Sequence, residues 1–192
     1  MRSRSTLLPA AAAVAMLLGG CSSSSKASTA TATAAAEVAV AGDIPDDQAF
    51  VAYAARPYTI KVPEGWARSI DGAVTVFSDK FNTIRVETRA LASAPTVASV
   101  TGTDLPAIAS SAAGYAAGKV SAVTRRTGQA VLATYQMDGA ANGVTSKAVR
   151  LDVERYEFWR DGTSVIVTLS SAAGSDNVDP WRIVTDGFGW AP

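Results

Sequence analysis

The 192-residue chain contains no histidine and a single cysteine, Cys21. The missing imidazole excludes the Ser-His-Asp and Cys-His catalytic arrangements, the usual zinc sites and the usual general base near neutral pH. One cysteine excludes an internal disulfide. Net charge is missing too: 17 basic residues balance 17 acidic ones. Nucleic-acid binding, which needs a clustered basic surface, is therefore not expected. No apolar run approaches the roughly 20 residues of a membrane-spanning helix. These absences leave carboxylate chemistry, hard-cation binding and recognition without catalysis.

What is present begins at the N-terminus. Arg2 and Arg4 precede an apolar, Ala-rich run from Leu7 to Leu18, broken only by Pro9, and the small residues Gly19 and Gly20 lead into Cys21. A charged start, a run of about a dozen apolar residues and a small-residue cleavage site are the parts of a secretory signal. Leu18-Gly19-Gly20-Cys21 resembles the lipobox of bacterial lipoproteins, in which the thiol takes a diacylglyceryl group and the cysteine becomes the mature N-terminus. The resemblance implies a signal peptide over 1–20, lipidation of Cys21, and a position on the extracytoplasmic face of the cell membrane. Each buried methylene contributes about 0.8 kcal/mol, and two acyl chains anchor stably where one does not. Cleavage removes Arg2 and Arg4 from the 17 basic residues, leaving 15 against 17 acidic and a net charge of −2. The lipid is then the membrane grip, without polybasic help. With Cys21 acylated no soft metal ligand remains, and neither a metal nor a cofactor is expected.

Residues 21–48 read as a tether. After Cys21 come Ser22-Ser23-Ser24-Ser25 and then Thr29, Thr31 and Thr33 among alanines. Too few large apolar side chains are present to offset the entropy of ordering. A loose chain of this length reaches roughly 25 Å. Asp43, Asp46 and Asp47, at its end, read as solvated linker charges.

Residues 49–192 are long enough for one core. Tyr58 to Val62 alternates as a strand and stops at Pro63. Glu64-Gly65-Trp66 is a turn, Val74 to Ser78 a second strand, and Phe81 to Arg89 a third. In the third, Ile84, Val86 and Thr88 face one way and Arg85, Glu87 and Arg89 the other, the period-two pattern of a half-solvated strand. A helix is expected from Asp104 as N-cap, with Pro106 in the first turn, Leu105, Ile108, Ala112 and Tyr115 as its stripe, and Gly118 ending it. Four more strands follow: Val120 to Arg126, Ala130 to Met137, Lys147 to Arg160 and Thr163 to Ser170. Asp161-Gly162 between the last two is a strong hairpin signal. In the longest strand Val149, Leu151 and Val153 share a face while Tyr156 and Phe158 lie on the other. Either a bulge switches the register or both faces are covered. A closing helix has Asp179 as cap, Pro180 at its first position, and Trp181, Val184, Thr185 and Phe188 along one stripe. About seven strands in hairpin order with two separated helices imply an antiparallel α+β domain with helices on one or both sheet faces.

The opening Phe50 and Tyr58-Thr59-Ile60-Lys61-Val62-Pro63-Glu64-Gly65-Trp66 resemble the start of PsbP-like domains. So do the hairpin Val153 to Ser170, then Asp179-Pro180-Trp181-Arg182-Ile183-Val184 and Phe188-Gly189-Trp190 at the close. That family includes the extrinsic photosystem II subunit and relatives in non-photosynthetic bacteria, among them actinobacterial lipoproteins of the LpqN and LpqT kind. Spanning residues 50–190, the resemblance implies an α-β-α sandwich around an antiparallel sheet and an accessory role in docking, assembly or stabilisation. Histidine-containing metal sites of some relatives do not carry over.

Trp66, Trp159, Trp181 and Trp190 each lie beside an apolar stripe or at a strand end and read as core and cap packing. Asp152, Glu154 and Glu157 form a carboxylate group on one strand, with Asp152 and Glu154 on a common face and Arg150 and Arg155 beside them. That pattern reads as a charge-paired sheet surface, since a glycosidase pair needs a cleft and a set separation. Asp176, Asn177 and Asp179 offer oxygens without an EF-hand spacing. No Gly-x-Ser-x-Gly elbow occurs. The expectation is a non-catalytic, lipid-anchored protein that binds an envelope protein. The alternative is a module holding a small apolar or glycan ligand of the envelope; a closed core favours the first, an apolar cavity open to solvent the second.

Overall fold

A computed structural model describes residues 42–140 and 148–192. The signal, the lipobox with Cys21 and most of the expected tether lie outside the described residues, as do residues 141–147 between the strands expected at Ala130 to Met137 and Lys147 to Arg160.

Among the described residues ten strands form two antiparallel sheets. The small sheet holds β1 (Phe50–Ala55), β2 (Tyr58–Pro63) and β10 (Gly189–Trp190), in the order β1-β2-β10. The large sheet holds β3 (Ala67–Asp71), β4 (Val74–Asp79), β5 (Asn82–Ala90), β6 (Ala116–Arg125), β7 (Gly128–Asp138), β8 (Arg150–Arg160) and β9 (Thr163–Ala172). Its order is β3-β4-β5-β9-β8-β7-β6. The insertion of β9 beside β5 makes β9 the central strand, which fits its consecutive apolar residues Val165, Ile166 and Val167. Three helices occur among the described residues: α1 (Val97–Ser99), α2 (Leu105–Ser111) and α3 (Val178–Asp186), with a π-helical stretch over Val100–Asp104 joining the first two.

Each face of the large sheet is covered. On the first, the helical segment lays Val100 and Leu105 on Val131, Ala133, Tyr135 and Val153. On the second, β2 and α3 bring Tyr58, Ile60, Trp181, Val184 and Phe188 onto Ile84, Val86, Tyr156, Phe158, Val165 and Val167. A single strand-parity rule fills both cores: Val153, Arg155 and Glu157 face the helical segment, Tyr156 and Phe158 face α3. The β7–β8 and β8–β9 pairings run without interruption from residue 151 to residue 158, so double coverage, not a bulge, explains the apolar second face. The α+β class and the antiparallel sheet flanked by helices are as expected.

Several local expectations differ. β1, β3 and β10 were not expected; β3 is exposed along its whole length and has no apolar alternation to signal it. The first helix begins at a capping box in which Thr96 and Ser99 bond reciprocally, eight residues before Asp104. Asp104 makes no cap bond and instead reaches an arginine on the sheet. Tyr115 and Gly118 lie past the helix, with Gly118 in β6. A Cβ there would meet Thr134 at 2.5 Å, so glycine permits the bulge between Ala117 and Val120. β8 starts at Arg150, with Ala148 and Val149 before it outside the strand and Lys147 outside the described residues. The β8–β9 turn has positive φ at both Asp161 (48°) and Gly162 (79°), the conformation that Asp-Gly favours.

Asp179 does not cap α3. The N-cap position is Asn177, whose side chain is used elsewhere, and Asp179 sits in the first turn. Asn177 accepts from the Ile44 amide (2.8 Å) and donates to the Gly42 carbonyl (2.9 Å) and to Asn82 Oδ1 (3.2 Å). Asp43 accepts from the Asp176 amide at 2.9 Å. Ile44 belongs to the core. The docked chain therefore starts before the expected domain boundary at residue 49, because one buried amide side chain ties residues 42–44 to α3, and Asp43 is not a solvated linker charge.

Candidate functional site

The three carboxylates singled out on β8 separate by strand parity. Glu157 points toward the helical segment and is fully buried. Its Oε1 accepts from Arg89 Nη2 (2.5 Å) and the Ser164 hydroxyl (2.8 Å), and its Oε2 accepts from Arg155 Nη1 (3.0 Å). Arg89 Nη1 donates to Asp104 Oδ1 at 2.9 Å, and Arg155 Nη2 lies 3.7 Å from the same oxygen. Two guanidiniums and two carboxylates thus form a closed, neutral cluster tying β5, β8 and β9 to the helical segment. Burial by itself would lower the Arg89 pKa; the hydrogen bonds to Asp104 and Glu157 outweigh it and raise the value above the ordinary one. Arg89 Nε is buried without a hydrogen-bond partner among the described residues. Such an interior ion group is costly to dehydrate and holds only when its geometry is satisfied. Here both Glu157 oxygens and Asp104 Oδ1 are engaged. The half-solvated face expected for Arg85, Glu87 and Arg89 is thus solvated only in part: Arg85 and Glu87 pair with each other at the surface, while Arg89 turns inward.

Asp152 and Glu154 emerge on the opposite face, into a groove of about 470 Å³ between strands β6 to β9 and the start of α3. Asp152 accepts from Gln136 Nε2 (2.7 Å) and the Gly174 amide (3.0 Å). Glu154 accepts from the Tyr156 hydroxyl at 2.8 Å. Tyr156 in turn accepts from Arg125 Nη2 at 2.8 Å, with the Arg125 guanidinium 4.9 Å from its ring centre. Burial, then the adjacent Glu154, pushes the Tyr156 pKa up to about 12. The charge-paired surface expected here is a hydrogen-bonded groove wall instead, with Arg155 on the other side of the sheet.

The tryptophans pack as expected. Trp66 meets Trp181 edge-on at 6.4 Å, Trp190 meets Phe188 at 5.4 Å and lies under Arg160, and Trp159 Nε1 donates to the Leu91 carbonyl at 2.8 Å. Trp159 and Trp190 also border a second groove of about 490 Å³, with Pro95, Val97, Ala122 and Val131. Asp176, Asn177 and Asp179 do not converge, and no group of three metal-ligating side chains occurs among the described residues. No described helix is long and apolar enough to cross a membrane.

No protein-family model matches the chain, and no curated protein matches it. Among solved structures, the cyanobacterial PsbP protein of Synechocystis sp. PCC 6803 aligns over 81% of this chain and 96% of its own, at a TM-score of 0.54 and 14% identity. LpqN of Mycobacterium tuberculosis, described as involved in cell envelope biogenesis, aligns over 76% of this chain and 91% of its own, at 0.44 and 14%. A Pseudomonas aeruginosa protein of unknown function aligns over 69% and 91%, at 0.45 and 16%. The first likeness shows a PsbP-like fold; the other two are too loose to carry an argument.

Proposed function

We propose that the chain is a lipid-anchored accessory protein that holds a non-catalytic domain outside the cell membrane and presents it to another envelope protein. The buried ionic cluster carries this reading. Glu157, Arg89, Arg155 and Asp104 engage one another and Ser164, so the most deeply buried charges hold layers together and are not poised for a substrate. The lipobox-like Leu18-Gly19-Gly20-Cys21 supports the anchor, and the Ser/Thr/Ala-rich stretch after it supports a tether. Cys21→Ala is expected to move the protein from the membrane fraction to the soluble fraction. Unchanged membrane association of that variant would refute the anchor.

A second reading has one observation in its favour. The groove beside Trp159 and Trp190 is largely apolar and opens to solvent, as small-molecule sites do. On that reading, protein purified from membranes carries a bound apolar molecule that mass spectrometry detects and that Trp159→Ala loses. Protein free of such a molecule favours the accessory reading.

A further inference from the structure

Asp152 and Glu154 stand two residues apart on β8, about 7 Å along the strand, and both line the groove on the α3 side of the large sheet. Neither forms an ion pair among the described residues. The arginines around them are engaged: Arg150 pairs with Asp138 and donates to the Gln136 side-chain carbonyl, and Arg125 donates to the Tyr156 hydroxyl, which in turn donates to Glu154.

A second feature is independent of that charge. Ser171 pairs directly with Asp152 across the β8–β9 ladder, so its side chain shares the groove face. It is only 4% exposed, it lines the same groove, and its hydroxyl has no partner among the described residues. Unlike Arg89 Nε, this hydroxyl is not sealed from solvent, and the groove it lines is where it can meet a donor. Three acceptors from two adjacent strands therefore converge on one space with uncompensated negative charge. A protonated primary amine presents three N–H donors and one positive charge.

We propose that this groove binds a small molecule through a protonated primary amine, which sits between Asp152 and Glu154 and donates its third N–H to Ser171. Calcium fits less well, since it takes six to eight oxygens.

The test is an NMR titration of the full chain at pH 7 and low salt with putrescine, alongside the neutral isostere 1,4-butanediol and calcium chloride. Putrescine is expected to give saturable amide shifts around residues 152–154 and 171, and the diol none. Asp152→Asn and Glu154→Gln are each expected to weaken binding about tenfold, the effect of one charge-assisted hydrogen bond. Ser171→Ala removes only an unpaired hydroxyl, so it tests the site even where a carboxylate variant fails to fold, and a several-fold loss is expected. Absence of saturable shifts with putrescine, equal shifts with the diol, saturation by calcium alone, or full affinity in Ser171→Ala would each overturn the proposal.

Discussion

Replacing Glu157 with glutamine keeps the shape of the side chain and removes its charge. In the native fold that carboxylate is fully buried and accepts three hydrogen bonds, at 2.5, 2.8 and 3.0 Å. In the variant one carboxylate oxygen becomes an NH2 donor; where that group faces Arg155, whose side chain is 8% exposed, the arginine keeps only Asp104 at 3.7 Å. Arg89 keeps Asp104 and a neutral amide oxygen in place of the carboxylate. Breaking one side of a buried ion group costs about 3–5 kcal/mol, a large part of the 5–15 kcal/mol typical of a domain. For a domain of this size that corresponds to a drop in Tm of roughly 10 °C. Glu87→Gln is the control. Its pair with Arg85 is 33% and 41% exposed, so a loss within about 1 kcal/mol is expected. Urea unfolding with an unchanged slope measures both. The double replacement Arg155→Met with Glu157→Leu removes opposite charges together and is expected to cost less than the sum of its single changes. A loss below about 1 kcal/mol for Glu157→Gln, no larger than that of Glu87→Gln, would refute the view that this cluster holds the helical segment to the sheet.

Three further outcomes follow from the same contacts. Tyr156 has its folded pKa raised to about 12 from 10.0, so its contribution is complete below pH 10 and is lost as pH rises from 10 to 12. The wild type is expected to lose roughly 2–3 kcal/mol more than Tyr156→Phe across that window in pH-dependent unfolding. Asn177→Ala leaves the Ile44 amide and the Gly42 carbonyl unpaired, and is expected to cost about 2–4 kcal/mol and to abolish hydrogen-exchange protection at Ile44. Trp181→Ala removes a buried aromatic that packs on Trp66, and an unfolding loss of about 3–5 kcal/mol is expected; an unaltered Tm would mean that α3 is not docked.

The class of the fold was legible because alternation is a local property. Ile84, Val86 and Thr88 against Arg85, Glu87 and Arg89, and the Asp161-Gly162 turn, need no tertiary information. Burial is not local. The residues 153, 155 and 157 alternate as plainly as 154, 156 and 158, yet nothing near Glu157 in the chain says that Val100 and Leu105 will cover it. The signal was indirect: a strand with Tyr156 and Phe158 on one face and Val153 on the other is covered on both sides, and its interior charges must then be paired. Asp104 and Asp179 looked like caps because their side chains suit caps. Arg89 claimed the first, and the Asn177 backbone took the second position while its side chain pinned Ile44. The helix start was missed because the capping box uses Ser99 where Glu or Gln is the common signature. Ser171 was not singled out, since an apolar β-branched strand gives no hint that one of its serines faces open space.

In-cell crosslinking of the full chain, followed by mass spectrometry, addresses the accessory role most directly. The expected result is one dominant envelope protein captured by the wild type and lost with Cys21→Ala, which places the domain away from the membrane surface. Capture of lipid or small molecules with no recurrent protein, or an identical capture by Cys21→Ala, would contradict it.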